Sequence, residues 1–341
     1  VPETGESIIL SGLLAVPVGV KGPIPVVSWQ HGTILSFDSV PSGLLKLADP
    51  SYIPTDQADS LETLLNVHRF AGQGFAVIAA DYVGKGPFRN GRGEGYAVKA
   101  VTTQACLRML EAGQRTLFLC GWSQGAINTQ WLHQALRRLG ITVTGTSVSS
   151  PFNELSETMR FWSGVGSYPP VDGQSSYPAM PPWISLCMII LIGSYELHYG
   201  MKGLLRSAVA PEFRGMAETY WKTYDVRFAL GKPFPTGATL LVPGFFDRFT
   251  DDLNSAFLRR LAANTATFWE YDAPIRFHLG LADEALHPTL VRRAIAAGGA
   301  KTAEVPVKGG SHRGNFLASL YGDATTLAGR ENAVDWFKSL L

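Results

Sequence analysis

TLFLCGWSQG, residues 116–125, is the stretch of sequence that decides the fold. Its first residues are apolar and β-prone, which predicts a strand, and the residues that follow repeat apolar side chains at helical spacing as far as Leu139. Between strand and helix, Gly121, Ser123 and Gly125 fit the G-x-S-x-G nucleophile elbow. The two glycines leave room for neighbouring backbone, so only the serine projects from the turn. We therefore predict that Ser123 is a nucleophile at the carboxyl end of a strand.

Strands and helices alternate on both sides of this turn. Apolar runs predict strands at 24–29, 75–80, 143–149, 275–279 and 303–307, and one or two edge strands within 7–20. Helices are predicted at 60–70 and 96–111, near Pro288, and from about Asn332. Because strands that alternate with helices form mainly parallel sheets, the pattern predicts an α/β fold with helices on both faces.

The alternation stops after Ser150 and resumes near Pro274. We assign residues 1–150 and 273–341 to the core and residues 151–272 to a mostly helical cap, the insertion, because a parallel crossover needs only a dozen or more residues. The insertion holds 21 of the 37 aromatic residues, where an even spread gives about 13. The aromatics either form the insertion's own core or line an apolar acyl or aryl pocket above Ser123. We predict the pocket.

Composition and charge exclude several classes of protein. The 341 residues are 46% hydrophobic and 17% charged, which is enough apolar surface for a folded core. Lys and Arg number 29 against 28 Asp and Glu, without the clustered basic excess of a nucleic-acid-binding protein. The most apolar run, residues 183–192, is too short for a transmembrane segment and predicts a buried or half-buried helix. Three cysteines cannot all pair, so the chain is not a disulfide scaffold.

No cofactor and no metal is expected. The glycine-rich stretch 84–95 follows a predicted strand, but it contains neither G-x-G-x-x-G nor G-x-x-x-x-G-K-[ST], which argues against a nucleotide site. The His and Cys residues do not have the spacing of a structural zinc site.

A serine nucleophile needs a base, and the base needs an acid that orients it. Of seven histidines, His312 lies in a glycine-rich loop just after the last predicted strand, and we predict that it is the base. Asp283 follows the preceding strand and is the predicted acid, with Glu284 and Asp272 as alternatives. The order Ser123, Asp283, His312 is that of α/β-hydrolases.

Five short motifs lie at the ends of predicted strands. They are HGT at 31–33, DYVGKG at 81–86, the elbow at 121–125, GLAD at 280–283 and GSH at 310–312. With Trp269 shortly before the acid strand, they resemble the α/β-hydrolase superfamily, and within it the lid-bearing secretory lipases and carboxylesterases. The resemblance implies a helical cap after the sixth strand and a serine hydrolase that cleaves carboxylic esters through an acyl-enzyme. We expect the substrate to be a small-molecule ester with a short to medium chain, or an aromatic ester.

Five further residues complete the predicted site. The oxyanion hole should consist of the backbone amides of Thr33 and Gln124. We expect His31, Trp122 and Trp183 to contact the substrate. A peptidase or acyltransferase on the same fold is an alternative function, and a binding module with an idle triad is another.

The sequence constrains the cellular location and the oligomeric state of the protein less than it constrains the fold. The resemblance implies a secreted or periplasmic protein, and a cytoplasmic one is the alternative. Because the sequence begins at Val1, we expect an N-terminal piece to have been removed, with a signal peptide as one candidate. The sequence predicts no oligomeric state.

Overall fold

Seven strands form one mainly parallel sheet in the order β1-β3-β2-β4-β5-β6-β7. The computed structural model describes residues 5–91, 93–110, 116–166, 168–169, 171, 176–225, 227, 234–247, 252–322 and 332–341. The strands are β1 Gly12–Ala15, β2 Val26–Gln30, β3 Ala76–Ala80, β4 Leu117–Trp122, β5 Gly145–Ser149, β6 Ile275–Gly280 and β7 Thr302–Val307. Only β1 pairs antiparallel, against β3, so the predicted α/β architecture is confirmed.

Within the described ranges, twelve α-helices surround or extend the sheet. They are α1 Leu61–Ala71, α2 Lys99–Leu110, α3 Gln124–Arg138, α4 Leu155–Trp162, α5 Ile184–His198, α6 Leu204–Ala208, α7 Arg214–Thr223, α8 Gly237–Leu240, α9 Leu253–Ala263, α10 Pro288–Ala297, α11 His312–Tyr321 and α12 Ala333–Ser339. Short 3-10 helices occupy Pro41–Ala48, Pro211–Phe213 and Phe245–Asp247.

Helices cover both faces because the central strands are apolar on both sides. In β3 and β4, Val77 and Phe118 face one layer, formed by α1, α11 and α12. Ile78 and Leu119 face the opposite layer, formed by α2 and α3. Alternate side chains of a strand point to opposite faces, so a strand buried on both sides has a continuous apolar sequence.

The N-terminal segment contributes one edge strand, where one or two were expected. Of the described residues before β2, only Gly12–Ala15 join the sheet, while Val18 is fully exposed. Pro17 removes a ladder donor next to β1, and Gly19 and Gly22 turn the chain with φ values of 82° and 91°. The HGT motif therefore follows the second strand, and the insertion follows the fifth strand instead of the sixth.

The described part of the insertion is helical, from α4 to α9, with one isolated bridge between Val209 and Leu241. Its buried side chains are continuous with those of α2 and α3, so insertion and core share one hydrophobic cluster. Helix α5 lies at its centre and is buried on nearly all sides, as its uniformly apolar sequence predicts. Among the described helices, none is both long enough and apolar enough to cross a membrane.

Asp81, directly after β3, ties the N-terminal segment to the sheet. Its carboxylate accepts hydrogen bonds from the Ser11 hydroxyl at 2.5 Å and from the Ser42 amide at 2.9 Å. The side chain is fully buried. These contacts support a structural role for Asp81 in holding its own turn.

Candidate active site

Ser123 occupies a strained turn between β4 and α3. Its backbone has φ 54° and ψ −118°, a conformation that costs a non-glycine residue energy and occurs mostly at functional sites. A Cβ on Gly121 would overlap Thr129 Oγ1, and one on Gly125 would overlap the Gln30 carbonyl oxygen at the end of β2. Both glycines are therefore required by close approach of neighbouring atoms. The Ser123 amide donates to the Ser149 carbonyl at 2.9 Å, which fixes the turn to β5.

The structure brings Ser123, His312 and Asp283 together in one hydrogen-bonded series. His312 Nε2 lies 3.0 Å from Ser123 Oγ, and His312 Nδ1 lies 3.0 Å from each carboxylate oxygen of Asp283. Asp283 Oδ1 also accepts the amides of Ala285 and Leu286, which fix the orientation of the carboxylate. The three side chains come from the ends of β4, β6 and β7, at one edge of the sheet. They are nearly covered, with exposures of 7% for Ser123, 4% for His312 and 1% for Asp283.

The two alternative acids lie in other positions. Glu284 Oε2 accepts the backbone amide of His312 at 2.9 Å and therefore contacts the start of α11 instead of the imidazole. Asp272 is hydrogen-bonded to His133 Nε2 at 3.3 Å and forms an ion pair with Arg137 at 3.6 Å, on another part of the molecule. Of the three carboxylates, the one hydrogen-bonded to the imidazole is Asp283.

Residues Gly32 and Thr33 are held from several directions. His31 Nδ1 lies 2.8 Å from the Gly32 carbonyl oxygen, and the Gly32 amide donates to Glu62 Oε2 at 3.1 Å. The Thr33 hydroxyl is 2.8 Å from the Tyr96 hydroxyl. Because a trans peptide directs its C=O and N–H in opposite directions, fixing the Gly32 carbonyl also fixes the direction of the Thr33 amide.

Gln124 supplies the second predicted amide. It is the first residue of α3, and the first amides of a helix have no acceptor within the helix. The positive end of the helix dipole adds to the field at this amide. The residue itself is 1% exposed, so its side chain is held inside the protein while its amide lies next to Ser123.

The expectation that His31 contacts the substrate is wrong. Its side chain is completely buried and stacks on Tyr82 with the ring centroids 4.0 Å apart. Burial lowers the pKa of His31 to about 4, so the imidazole is neutral near neutral pH. His31 lies behind the Gly32 carbonyl, where its Nδ1 proton orients the peptide.

Trp122 and Trp183 both lie next to the imidazole of His312. Trp122 Nε1 donates to the His312 carbonyl at 3.2 Å, and its ring stacks on Phe316 at 4.8 Å. The Trp183 ring centroid is 6.0 Å from that of His312, at the start of α5. These two positions are compatible with the predicted substrate contacts.

A cleft of about 1080 Å³ opens next to Thr33 and Trp122, and neither Ser123 nor His312 lines it. Its walls include the 33–39 loop, the segment before and at the start of α1, Thr223 to Asp225 at the end of α7, and Trp122, Arg313 and Phe316. Among the described aromatic residues of the insertion, only Tyr224 lines it. Other described aromatics of the insertion pack in the shared hydrophobic cluster, including Phe152, Trp162, Tyr195, Tyr220, Phe245 and Phe257. The structure therefore favours the explanation that these aromatics form a core, which an insertion of this size needs.

Sequence reasoning missed the residues that support the site from behind. Glu62 and Tyr96 hold the Gly32–Thr33 peptide, and Lys85 and Glu94 form a buried pair nearby. Lys85 and Glu94 lie in the glycine-rich stretch 84–95, which the sequence analysis weighed as a possible nucleotide site, and Tyr96 follows it. The signal was present as Lys85 and Glu94, each flanked by glycines, after a buried strand. Over the described ranges, no group of three His, Cys, Asp or Glu residues could hold a metal ion.

Glu62 makes the stability of the site pH-dependent. Burial raises its pKa from 4.5 to about 8, against the opposing effects of the Gly32 amide and Arg313. Between these two values the folded state binds one more proton than the unfolded state, so the contribution of Glu62 to stability falls as the pH rises. Glu62→Gln mimics the neutral acid and has no proton to lose.

We expect the free energy of unfolding of Glu62→Gln, relative to that of the natural protein, to increase with pH. The increase should be up to about 1.4 kcal/mol per pH unit between roughly pH 5 and 8, measured by urea denaturation. A difference that stays constant over this range would mean that Glu62 is already ionised in the folded protein.

No protein-family model matches this sequence, and neither does any curated protein. Three solved structures are similar in fold. A candidate hydrolase from Legionella pneumophila is 17% identical, with a TM-score of 0.76 over 99% of this chain and 85% of its own. The rice cell wall degrading esterase LipA from Xanthomonas oryzae is 18% identical, with a TM-score of 0.68 over 97% of this chain and 85% of its own. Candida antarctica lipase A is 14% identical, with a TM-score of 0.66 over 99% of this chain and 83% of its own. Together with the strand order, these similarities show that the chain has the α/β-hydrolase fold.

Proposed function

We propose that the protein is a serine hydrolase that cleaves carboxylic esters through an acyl-enzyme. The observation that carries this proposal is the unbroken hydrogen-bonded series from Asp283 through His312 to Ser123, whose serine lies on a strained elbow. The presence of an esterase and a lipase among structures of the same fold supports the hydrolase class.

In the first half of the reaction, Ser123 Oγ attacks the ester carbonyl while His312 Nε2 takes its proton. Asp283 keeps the Nδ1 proton of His312 directed at its carboxylate and stabilises the imidazolium that forms. The amides of Thr33 and Gln124 donate to the oxyanion of the tetrahedral intermediate. His312 then gives the proton to the leaving alcohol oxygen, and the carbonyl re-forms as the acyl-enzyme.

In the second half, water replaces the alcohol. His312 Nε2 takes a proton from a water molecule that attacks the acyl-enzyme carbonyl, and the same two amides stabilise the second oxyanion. Collapse of this intermediate returns the proton to Ser123 Oγ and releases the carboxylic acid. The low exposure of Ser123 and His312 keeps bulk water away from both intermediates.

Ser123→Ala and His312→Ala should each lower the rate of ester hydrolysis by several orders of magnitude, while the fold is retained. The double variant should be little worse than either single one, because the triad acts as a unit. Hydrolysis of p-nitrophenyl acetate measures the loss of turnover. Covalent labelling by a fluorophosphonate measures the loss of a reactive Ser123. Turnover at the natural rate in a folded Ser123→Ala protein would exclude this mechanism.

Asp283→Asn should reduce kcat far more than Glu284→Gln. An asparagine no longer holds the Nδ1 proton of His312 in the required tautomer, which costs about 10⁴-fold in a comparable triad. Glu284 bonds only the backbone amide of His312, so we expect its variant to stay within roughly tenfold of the natural protein. Asp272→Asn serves as a control away from the imidazole. If Glu284→Gln were the more damaging change, the acid would have to be reassigned to Glu284.

Acyl-chain length tests where the substrate lies. Burying one methylene is worth about 0.8 kcal/mol, so kcat/KM should rise roughly fourfold per carbon from acetate to butyrate esters. Leu317 is 44% exposed on the wall of the cleft, and Leu317→Ala should weaken this dependence if the acyl chain lies there. Leu139→Ala, at an exposed site after α3, is the matched control. A decline in kcat/KM from the first added carbon would mean that the protein prefers acetyl esters.

A further inference from the structure

A buried ion pair lies behind the proposed oxyanion hole. Lys85 Nζ is 3.1 Å from Glu94 Oε2, and the two side chains are 0% and 1% exposed. The pair forms because the glycine-rich stretch folds back on itself. Gly84 has φ 82°, and a Cβ there would overlap the backbone of Gly93. The backbone at residue 84 therefore packs directly against that at residue 93, which brings Lys85 and Glu94 together.

On one side, Lys85 holds the loop that follows Thr33. Its ammonium donates to the carbonyl oxygens of Ile34 and Ser36, both at 2.7 Å. With Glu94 as the third acceptor, all three protons of the ammonium have partners. The loop carrying one proposed oxyanion amide is therefore fixed by a single buried cation.

On the other side, Glu94 holds the start of α3. Gln124 Nε2 donates to Glu94 Oε1 at 3.1 Å, and Gln124 carries the second proposed oxyanion amide. Tyr224 of the insertion donates its hydroxyl to Glu94 Oε2 at 2.7 Å, and its ring lies 4.1 Å from Lys85 Nζ. One carboxylate thus joins the elbow, the cation and the insertion.

Stability alone is a weak explanation for such a pair. Removing two charges from water costs more than their attraction often returns, and apolar residues of similar volume commonly stabilise a protein as well or better. Burial lowers the pKa of Lys85, while Glu94 opposes that effect. Within the described part of the chain, the two side chains form hydrogen bonds with each other, with loop carbonyls, and with Gln124 and Tyr224, and not with Ser123 or His312.

We propose that Lys85 and Glu94 are positioning residues that set the separation of the Thr33 and Gln124 amides, and that Tyr224 couples this separation to the insertion. The inference rests on the proposed function. Because the pair acts on the amides that receive the oxyanion, its loss should weaken binding of the tetrahedral state and leave binding of the planar ester unchanged.

The test compares Tyr224→Phe with Tyr195→Phe. Tyr195 is also a buried tyrosine of the insertion, and its hydroxyl donates to the Ala97 carbonyl at 2.9 Å without touching the pair. For each variant we would measure kcat and KM for p-nitrophenyl butyrate, and the inhibition constant of butylboronic acid, which forms a tetrahedral adduct with a serine.

Tyr224→Phe should lower kcat about three- to tenfold, and Lys85→Met about 10- to 100-fold, because loss of a whole oxyanion donor costs about 10²- to 10³-fold. KM should stay within about twofold, and the boronic acid should bind more weakly by the same factor as kcat/KM falls. Tyr195→Phe should leave all three quantities unchanged even where it lowers the melting temperature.

Three results would overturn the inference. The first is a Tyr224→Phe protein that behaves like Tyr195→Phe, the second is a rise in KM with kcat unchanged, and the third is a loss of kcat with unaltered boronic acid binding. If Lys85→Met fails to fold, the kcat, KM and boronic acid inhibition of Tyr224→Phe are sufficient to test the inference. A natural protein that neither hydrolyses esters nor reacts with a fluorophosphonate would instead overturn the proposed function itself.

Discussion

The contact between Gly125 and the Gln30 carbonyl oxygen is the constraint on which the site depends. A Cβ at residue 125 would overlap that oxygen, so the start of α3 and the end of β2 can approach this closely only through a glycine. The approach places the chain that follows β2, with the Gly32–Thr33 peptide, beside the residue that follows Ser123. Both proposed oxyanion donors are therefore backbone amides whose separation is determined by packing between two core elements.

The groups behind these amides are polar, buried and nearly neutral as a set. His31 is uncharged because burial lowers its pKa, and the charges of Lys85 and Glu94 offset each other. In the proposed oxyanion hole, the groups that would stabilise negative charge are then the oriented amides and the start of α3. Preorganised dipoles of this kind do not have to reorient when the oxyanion forms, which is what makes them effective in a site with little water.

Local patterns predicted much of this from sequence. The apolar runs of β3 and β4, the glycines around Ser123 and the order of Ser123, Asp283 and His312 are all readable because each depends on neighbouring residues or on the end of one strand. The sequence left open whether the N-terminal segment forms one strand or two, because its pairing is non-local, and in the structure Pro17 and the exposed Val18 lie outside the sheet. The role of His31 was missed because its position after a strand does not show which side of the loop the ring occupies.

The hydrophobic cluster shared by insertion and core bears on how a substrate reaches Ser123. A hinged movement of the whole insertion would divide this cluster, in which side chains such as Ile189 and Tyr195 are fully buried. Exposing apolar surface costs about 25 cal/mol per Å². The cleft beside the 33–39 loop is already open. Trp122 lines it, and the Trp122 ring lies 5.0 Å from that of His312. For the proposed ester substrate, entry along this cleft would leave the cluster intact and would approach from the side on which Thr33 lies. Glu94 joins the two sets of contacts, because it accepts hydrogen bonds from Ser194 and Tyr224 of the insertion and from Gln124 next to Ser123. The position of the insertion on the core and the geometry of the proposed site therefore depend on the same packing.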